Sequence, residues 1–145
     1  MITVAAIRME QFGVQFYQAS LTARDVGKLV RFYKAQPQDL MLVLDDMALP
    51  PGRIRLRPGG SAGGHNGLAD VLAAMGTDEV PRLRIGIGEP PGPMDGVDYV
   101  LGRLSEDELA AAKGAIERAC QAIEDWLSTD LSAVMSQYNQ NEKSQ

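Results

Sequence analysis

Apolar and polar positions along this chain recur with two periods, near two and near 3.6, and each switch between them marks a new element. Ile2 and Val4, then Val14 and Phe16, alternate with other residue types, and Gln11-Phe12-Gly13 supplies a turn, which predicts a hairpin over residues 2 to 18. The period then lengthens. Val26, Leu29, Val30 and Tyr33 recur at i, i+3, i+4 and i+7, predicting a helix capped by Ser20 or Thr22 and stopped by Pro37. The run Leu40-Met41-Leu42-Val43-Leu44 is continuously apolar up to Asp45-Asp46, the pattern of a strand buried on both faces. Pro50-Pro51-Gly52 turns the chain, and Arg53-Ile54-Arg55-Leu56-Arg57 alternates strictly, with three arginines on one face. After the loop Pro58 to Gly64, a helix is expected with Leu68, Val71, Leu72 and Met75 on one face and Gly76 as its stop.

Arg82 to Gly88 is another alternating strand, its arginines on one face and Leu83, Ile85 and Ile87 on the other. Glu89 to Gly96 reads as a Pro/Gly loop and Val97 to Leu101 as a short strand or extended loop. A long helix opens at Ser105, with Glu108 completing a capping box. Its apolar stripe is Leu109, Ala112, Ile116, Ala119, Ile123 and Trp126 or Leu127, and Cys120 is placed in the core with it. Strands alternating with helices make the class α/β. The 145 residues fit a single domain over 1–138, followed by a polar tail at 139–145.

Composition narrows the chemistry. A formal net charge of −5 argues against a generic nucleic-acid binder, so an RNA-binding role requires a local basic patch on an acidic body. One cysteine excludes an intrachain disulfide and fits a reducing, cytoplasmic compartment. One cysteine and one histidine together argue against a zinc site built from these ligands. No stretch approaches the roughly 20 apolar residues of a membrane span, and Met1 to Phe16, with Arg8 and Glu10, does not read as a signal peptide.

Three groups of residues are candidates for chemistry. Gly63-Gly64-His65-Asn66-Gly67 leads into a helix, whose N-terminal N–H groups favour an anion or a carbonyl. The same residues also make a structural turn, with His65 as a buried hydrogen-bonding residue and Asn66 as N-cap, and spacing alone favours that reading. Asp45-Asp46 ends a buried strand, where ligands of open α/β sheets gather, or simply forms a turn. Arg53, Arg55, Arg57, Arg82 and Arg84 form either a cationic phosphate-binding surface or the solvated face of an amphipathic sheet.

Four features in order carry a resemblance. They are Leu42 to Asp46 followed by Leu49-Pro50-Pro51-Gly52; Gly59-Gly60-Ser61-Ala62-Gly63-Gly64-His65-Asn66-Gly67-Leu68; Arg82 to Gly88; and Tyr99-Val100-Leu101-Gly102. With this spacing the chain resembles the bacterial-type peptidyl-tRNA hydrolase family, continuously from about Val26 to Trp126. The resemblance implies a mixed β-sheet flanked by helices. It also implies hydrolysis of the ester joining a peptide to the 3′ end of tRNA, which recycles the tRNA, with no metal or organic cofactor. In that family a histidine is the general base, an aspartate supports it, and asparagines bind the substrate.

Carried over by position, Asp45 matches the supporting aspartate and Asn66 a substrate-binding asparagine. His65 is Asn66's motif neighbour at the substrate rather than the base. Arg57 and Arg84 match the residues that clamp the tRNA's 5′-terminal phosphate. The family's opening strand, its Asn-Pro-Gly turn and the segment carrying the catalytic histidine have no counterpart here, and its aromatic-Met-Asn stretch falls on Gln18-Ala19-Ser20. The resemblance therefore implies an N-terminally truncated member, lacking the first strand and helix. Either it hydrolyses peptidyl-tRNA or it is an inactive remnant that binds tRNA or peptide, and a longer protein with an upstream start is a third reading. A sheet edge opened by the missing strand favours self-association.

Overall fold

The computed structural model describes residues 2–9, 13–18, 23–88 and 105–139, with side chains described from residue 24 onward. Ser20, Thr22, the Gln11-Phe12 turn, the segment Glu89 to Leu104 and the tail from Gln140 lie outside them. Strands β1 (Ile2–Met9) and β2 (Gly13–Gln18) precede helix α1 (Ala23–Phe32), β3 (Leu40–Asp46), β4 (Ile54–Arg57) and helix α2 (Asn66–Met75). Strand β5 (Arg82–Gly86) and helices α3 (Glu106–Ser128) and α4 (Leu131–Tyr138) follow. The strands form one sheet in the order β2-β1-β3-β5-β4; the class is α/β, as the alternating patterns implied, and the sheet is mixed and flanked by helices, as the resemblance implied. The expected hairpin is present: β1 pairs antiparallel with β2, Met9 opposite Gly13, and antiparallel with β3, Ile7 opposite Leu40. Among the described residues no helix is long and apolar enough to cross a membrane.

Two compact units make up the chain, residues 1–44 with 56–83, and residues 45–55 with 84–145. In the first, Leu40, Leu42 and Leu44 of β3 pack with Val26 and Val30 of α1, and with Leu68, Val71 and Leu72 of α2. Each such side chain contributes about 1.5–3 kcal/mol on burial. Met41 and Val43, on the other face of the strand, are buried as well, as the unbroken apolar run required. Helix α1 closes before Pro37 is reached. Lys34 takes a φ of 54°, its N–H bonds to the Arg31 carbonyl, and the Ala35 N–H bonds to the Val30 carbonyl. These are the two hydrogen bonds of a Schellman motif, with lysine in the place usually held by glycine.

Helix α2 starts one residue earlier than the Asn66 cap considered from sequence would place it. His65 is the N-cap, its Nδ1 accepting the Leu68 N–H at 3.0 Å, and Asn66 is the first helical residue. Gly76 ends the helix as expected, in the left-handed region at φ 71°, and its N–H reaches the Leu72 carbonyl. Ile54 and Leu56 of β4 are buried and Arg57 is exposed, following the alternation. At β5 the alternation fails. Arg82 is 1% exposed and donates Nε to the Val80 carbonyl (3.1 Å), Nη1 to that of Ser61 (3.1 Å) and Nη2 to that of Asp78 (2.9 Å). The glycine-rich loop and the residues before β5 bring these carbonyls together at the start of the strand. A buried guanidinium satisfies them there, so Arg82 does not belong to a solvated cationic face.

In the second unit the segment after β3 is laid against β5. Gly86 N–H bonds to the Arg53 carbonyl (2.8 Å), Ile87 N–H to that of Asp46 (3.0 Å) and Gly88 N–H to that of Leu49 (2.9 Å). A Cβ on residue 86 would collide with the Pro50 carbonyl and with Leu49, so only glycine fits. Helix α3 begins with the expected reciprocal box: Glu108 N–H to Ser105 Oγ and Ser105 N–H to Glu108 Oε2, both 3.1 Å. Its buried stripe is rotated from the expected one. Ala115, Ala119, Ala122, Ile123 and Trp126 are buried, whereas Leu109, Ile116, Cys120 and Leu127 are exposed. Three alanines on one face admit close packing, and the large indole of Trp126 takes the buried position ahead of Leu127. Asp130 caps α4 through the Ala133 N–H. The Tyr138 hydroxyl donates to Asp125 Oδ2 at 2.5 Å, and this bond, with burial adding to it, pushes the phenol up to about 12.

Three outcomes follow. Gly86→Ala is expected to destabilise the protein by about 1–3 kcal/mol or more, measured by urea unfolding, because backbone must move to admit the methyl. His65→Ala is expected to cost about 1 kcal/mol through loss of the cap, and His65→Asn to restore most of it. Tyr138→Phe removes the donor to Asp125 and is expected to cost about 1 kcal/mol at neutral pH. The phenol's pKa is raised on folding, so its contribution is complete below about 10, the unfolded value, and is lost as the pH rises towards about 12. Wild-type and Tyr138→Phe stabilities, followed by denaturant titration across that window, should converge.

Candidate functional site

Asp45 and Asp46 close β3, both partly buried. Successive strand side chains leave opposite faces, so the two carboxylates serve different surroundings. Asp46 is tied down on three atoms. Its Oδ1 accepts the Ala48 N–H at 2.8 Å, its Oδ2 accepts Arg84 Nη1 at 3.3 Å, and its main-chain carbonyl holds Ile87. Arg84 and Asp46 side chains are 21% and 13% exposed, so the pair is largely buried but still reached by solvent. Among the described residues Asp46 is the acceptor for Arg84.

Sequence reasoning selected Asp45 and Arg84 but missed Asp46 as Arg84's partner. The doubled aspartate was a signal that one carboxylate faces each way. Which of them meets Arg84 depends on the register between β3 and β5, which no local pattern encodes. Asp45 and Arg84 belong to the unit of residues 45–55 and 84–145.

Arg57, His65 and Asn66 belong to the other unit. Arg57 is exposed at the end of β4, and Asn66 is exposed at the first turn of α2, where main-chain N–H groups have no partner within the helix. His65 is half-buried, and its role as cap fixes its chemistry. A neutral imidazole whose Nδ1 accepts a hydrogen bond carries its proton on Nε2. Such a ring offers a donor and leaves no lone pair to abstract a proton from water. The structure thus gives His65 the helix-capping task that the structural reading of the spacing had assigned to Asn66, and leaves Asn66 as the exposed amide of the pair.

The five arginines have separate fates: Arg82 is buried among carbonyls, Arg84 is held by Asp46, Arg57 is exposed, and Arg53 and Arg55 are half-buried. Strands β4 and β5, which carry most of them, are neighbours in the sheet, a point their spacing could not establish. Among the described residues no group of three or more His, Cys, Asp or Glu side chains is placed to hold a metal ion.

Comparison with known proteins gives a consistent result. The family model for peptidyl-tRNA hydrolase matches residues 16–145. The peptidyl-tRNA hydrolase of Symbiobacterium thermophilum is 46% identical over 120 residues, and that of Chloroflexus aurantiacus 45% over 121. Each alignment takes in 83% of this chain and 64% of the relative, so the chain spans less than two thirds of the length of these curated relatives. A crystal structure of peptidyl-tRNA hydrolase from Acinetobacter baumannii superposes with a TM-score of 0.76 at 30% identity, covering 88% of this chain and 66% of that one. A peptidyl-tRNA hydrolase crystallised with N-propanol gives 0.78 at 28% identity, covering 93% and 71%. From a match over residues 16–145 and relatives at 45–46% identity, the chain belongs to the peptidyl-tRNA hydrolase family.

Proposed function

We propose that this chain acts on peptidyl-tRNA, and that its reaction is hydrolysis of the ester between the peptide and the 3′ end of the tRNA. The observation that supports this most directly is the family match over residues 16–145, which takes in Asp45, Arg57, Asn66 and Arg84. Their roles are those that the resemblance implies, carried over position by position. Asp45 matches the carboxylate that in the family stands behind the general-base histidine, fixing its tautomer and stabilising the imidazolium, and the one histidine of this sequence, His65, does not fill that base position. Asn66 presents an amide to the peptide, with His65 beside it as a donor. Arg57 and Arg84 take the phosphate of the RNA, and Arg84, forked and partly exposed, is suited to two oxygens at once. The cytoplasm, where tRNA works, is the corresponding location.

One observation favours a second reading, tRNA or peptide binding without turnover by the 145-residue chain. His65 is the one histidine in the sequence, and its Nδ1 is occupied by the Leu68 N–H. A labelled peptidyl-tRNA separates the two. Under the hydrolytic reading, Asp45→Ala is expected to lower turnover by about 10²–10⁴-fold, the usual worth of general acid–base assistance. His65→Ala should lower turnover far less than Asp45→Ala, because its ring is a donor beside Asn66 and not the base. Binding without turnover, weakened by salt and by Arg84→Ala, supports the second reading. Absence of both binding and turnover overturns both.

A further inference from the structure

We propose that Asp46 is the positioning residue that presents Arg84 to a terminal phosphate and makes it selective for one; this rests on the phosphate-binding reading of Arg84. A guanidinium has five N–H donors. Among the described residues Arg84 spends Nη1 on Asp46, at 3.3 Å. The rest of the fork, its Nε and Nη2 edge, has the spacing for two oxygens of a phosphate. An unrestrained arginine stem samples many rotamers and loses them on binding a ligand. Here part of that loss is met before binding, because the acceptor is itself held. The Asp46 carboxylate is fixed by the Ala48 N–H and its carbonyl by the Ile87 N–H, beside the close approach at Gly86. Loop closure therefore sets where the guanidinium points.

The charge of Asp46 matters as much as its geometry. Paired with a carboxylate, Arg84 is a weak attractor of anions in general, since the pair is neutral at a distance. What survives pairing is the directed set of N–H groups. These favour a terminal phosphate, with its higher charge and three unesterified oxygens, over the singly charged diesters of an RNA backbone or a simple salt anion. Asp46 thus gives up some strength of attraction for selectivity.

The experiment measures dissociation constants by fluorescence anisotropy, using a labelled tRNA that carries an amide-linked, uncleavable peptide, with and without its 5′-phosphate. The wild-type protein is expected to bind the phosphorylated form about 10-fold more tightly, the order set by one hydrogen-bonded charge pair. Arg84→Ala and Asp46→Ala should each bring that ratio close to one, and Asp46→Glu should restore part of it. A merely structural role for Asp46 would weaken both forms equally and leave the ratio intact, and circular dichroism melting of each variant confirms that it is folded. If Asp46→Ala keeps the wild-type ratio, or binds the 5′-phosphate more tightly, while Arg84→Ala loses the ratio, the inference is overturned and the phosphate reading of Arg84 stands. If wild-type and Arg84→Ala both ignore the 5′-phosphate, the reading of Arg84 falls and the inference with it.

Discussion

The chain leaving β3 can lie against β5 only because residue 86 has no side chain. The Pro50 carbonyl and Leu49 occupy the space a Cβ would need. Three main-chain hydrogen bonds follow from that approach, from Gly86, Ile87 and Gly88 to Arg53, Asp46 and Leu49. They fix Asp46 both as a backbone acceptor and, through the Ala48 N–H, as a side chain. The partner of Arg84 is thus set by a steric allowance two residues along the same strand. Buried close contacts tolerate little adjustment, so a small residue far from any chemistry in the covalent sense controls where a charged group points.

Arg82 and Arg84 show how little charge alone says about role. They are two residues apart on one strand and were indistinguishable by alternation. Arg82 meets only carbonyls in the contacts described above and ties the glycine-rich loop to the residues before β5. Arg84 meets a carboxylate and remains partly exposed. The first arrangement consumes the directional donors of the fork in structure. The second leaves donors over, which is what a ligand-binding arginine needs. The cleanest expression of the same principle is His65, where a single hydrogen bond to a helix N–H decides the tautomer and so decides between donor and base.

Much of the local structure was legible in advance. The apolar run from Leu40 to Leu44, the hairpin, the Gly76 stop and the capping box at Ser105 and Glu108 all depend on interactions within a few residues or on a strict period, and sequence carries these directly. Helix α3 was legible as a helix, but its buried face only in part: Ala119, Ile123 and Trp126 were expected there and are buried, whereas Leu109 and Ile116 were expected there and are exposed. A 3.6-residue period fixes which residues share a stripe, while packing decides which stripe is covered, and the alanine face with Trp126 won over the one bearing Leu109, Ile116 and Leu127.

By itself the sequence determined the order and type of the elements, the residues eligible for chemistry, and through their spacing the family. It could do so because propensity, periodicity and motif are short-range properties of the chain. The tertiary structure alone decided that Arg82 is interior, that Arg84 belongs to Asp46, and that His65 rather than Asn66 caps α2. Each of those outcomes depends on which carbonyl, carboxylate or N–H arrives from elsewhere in the fold, or on the exact residue at which a helix begins. Strand register and close approach set that geometry, and neither is written in any one segment.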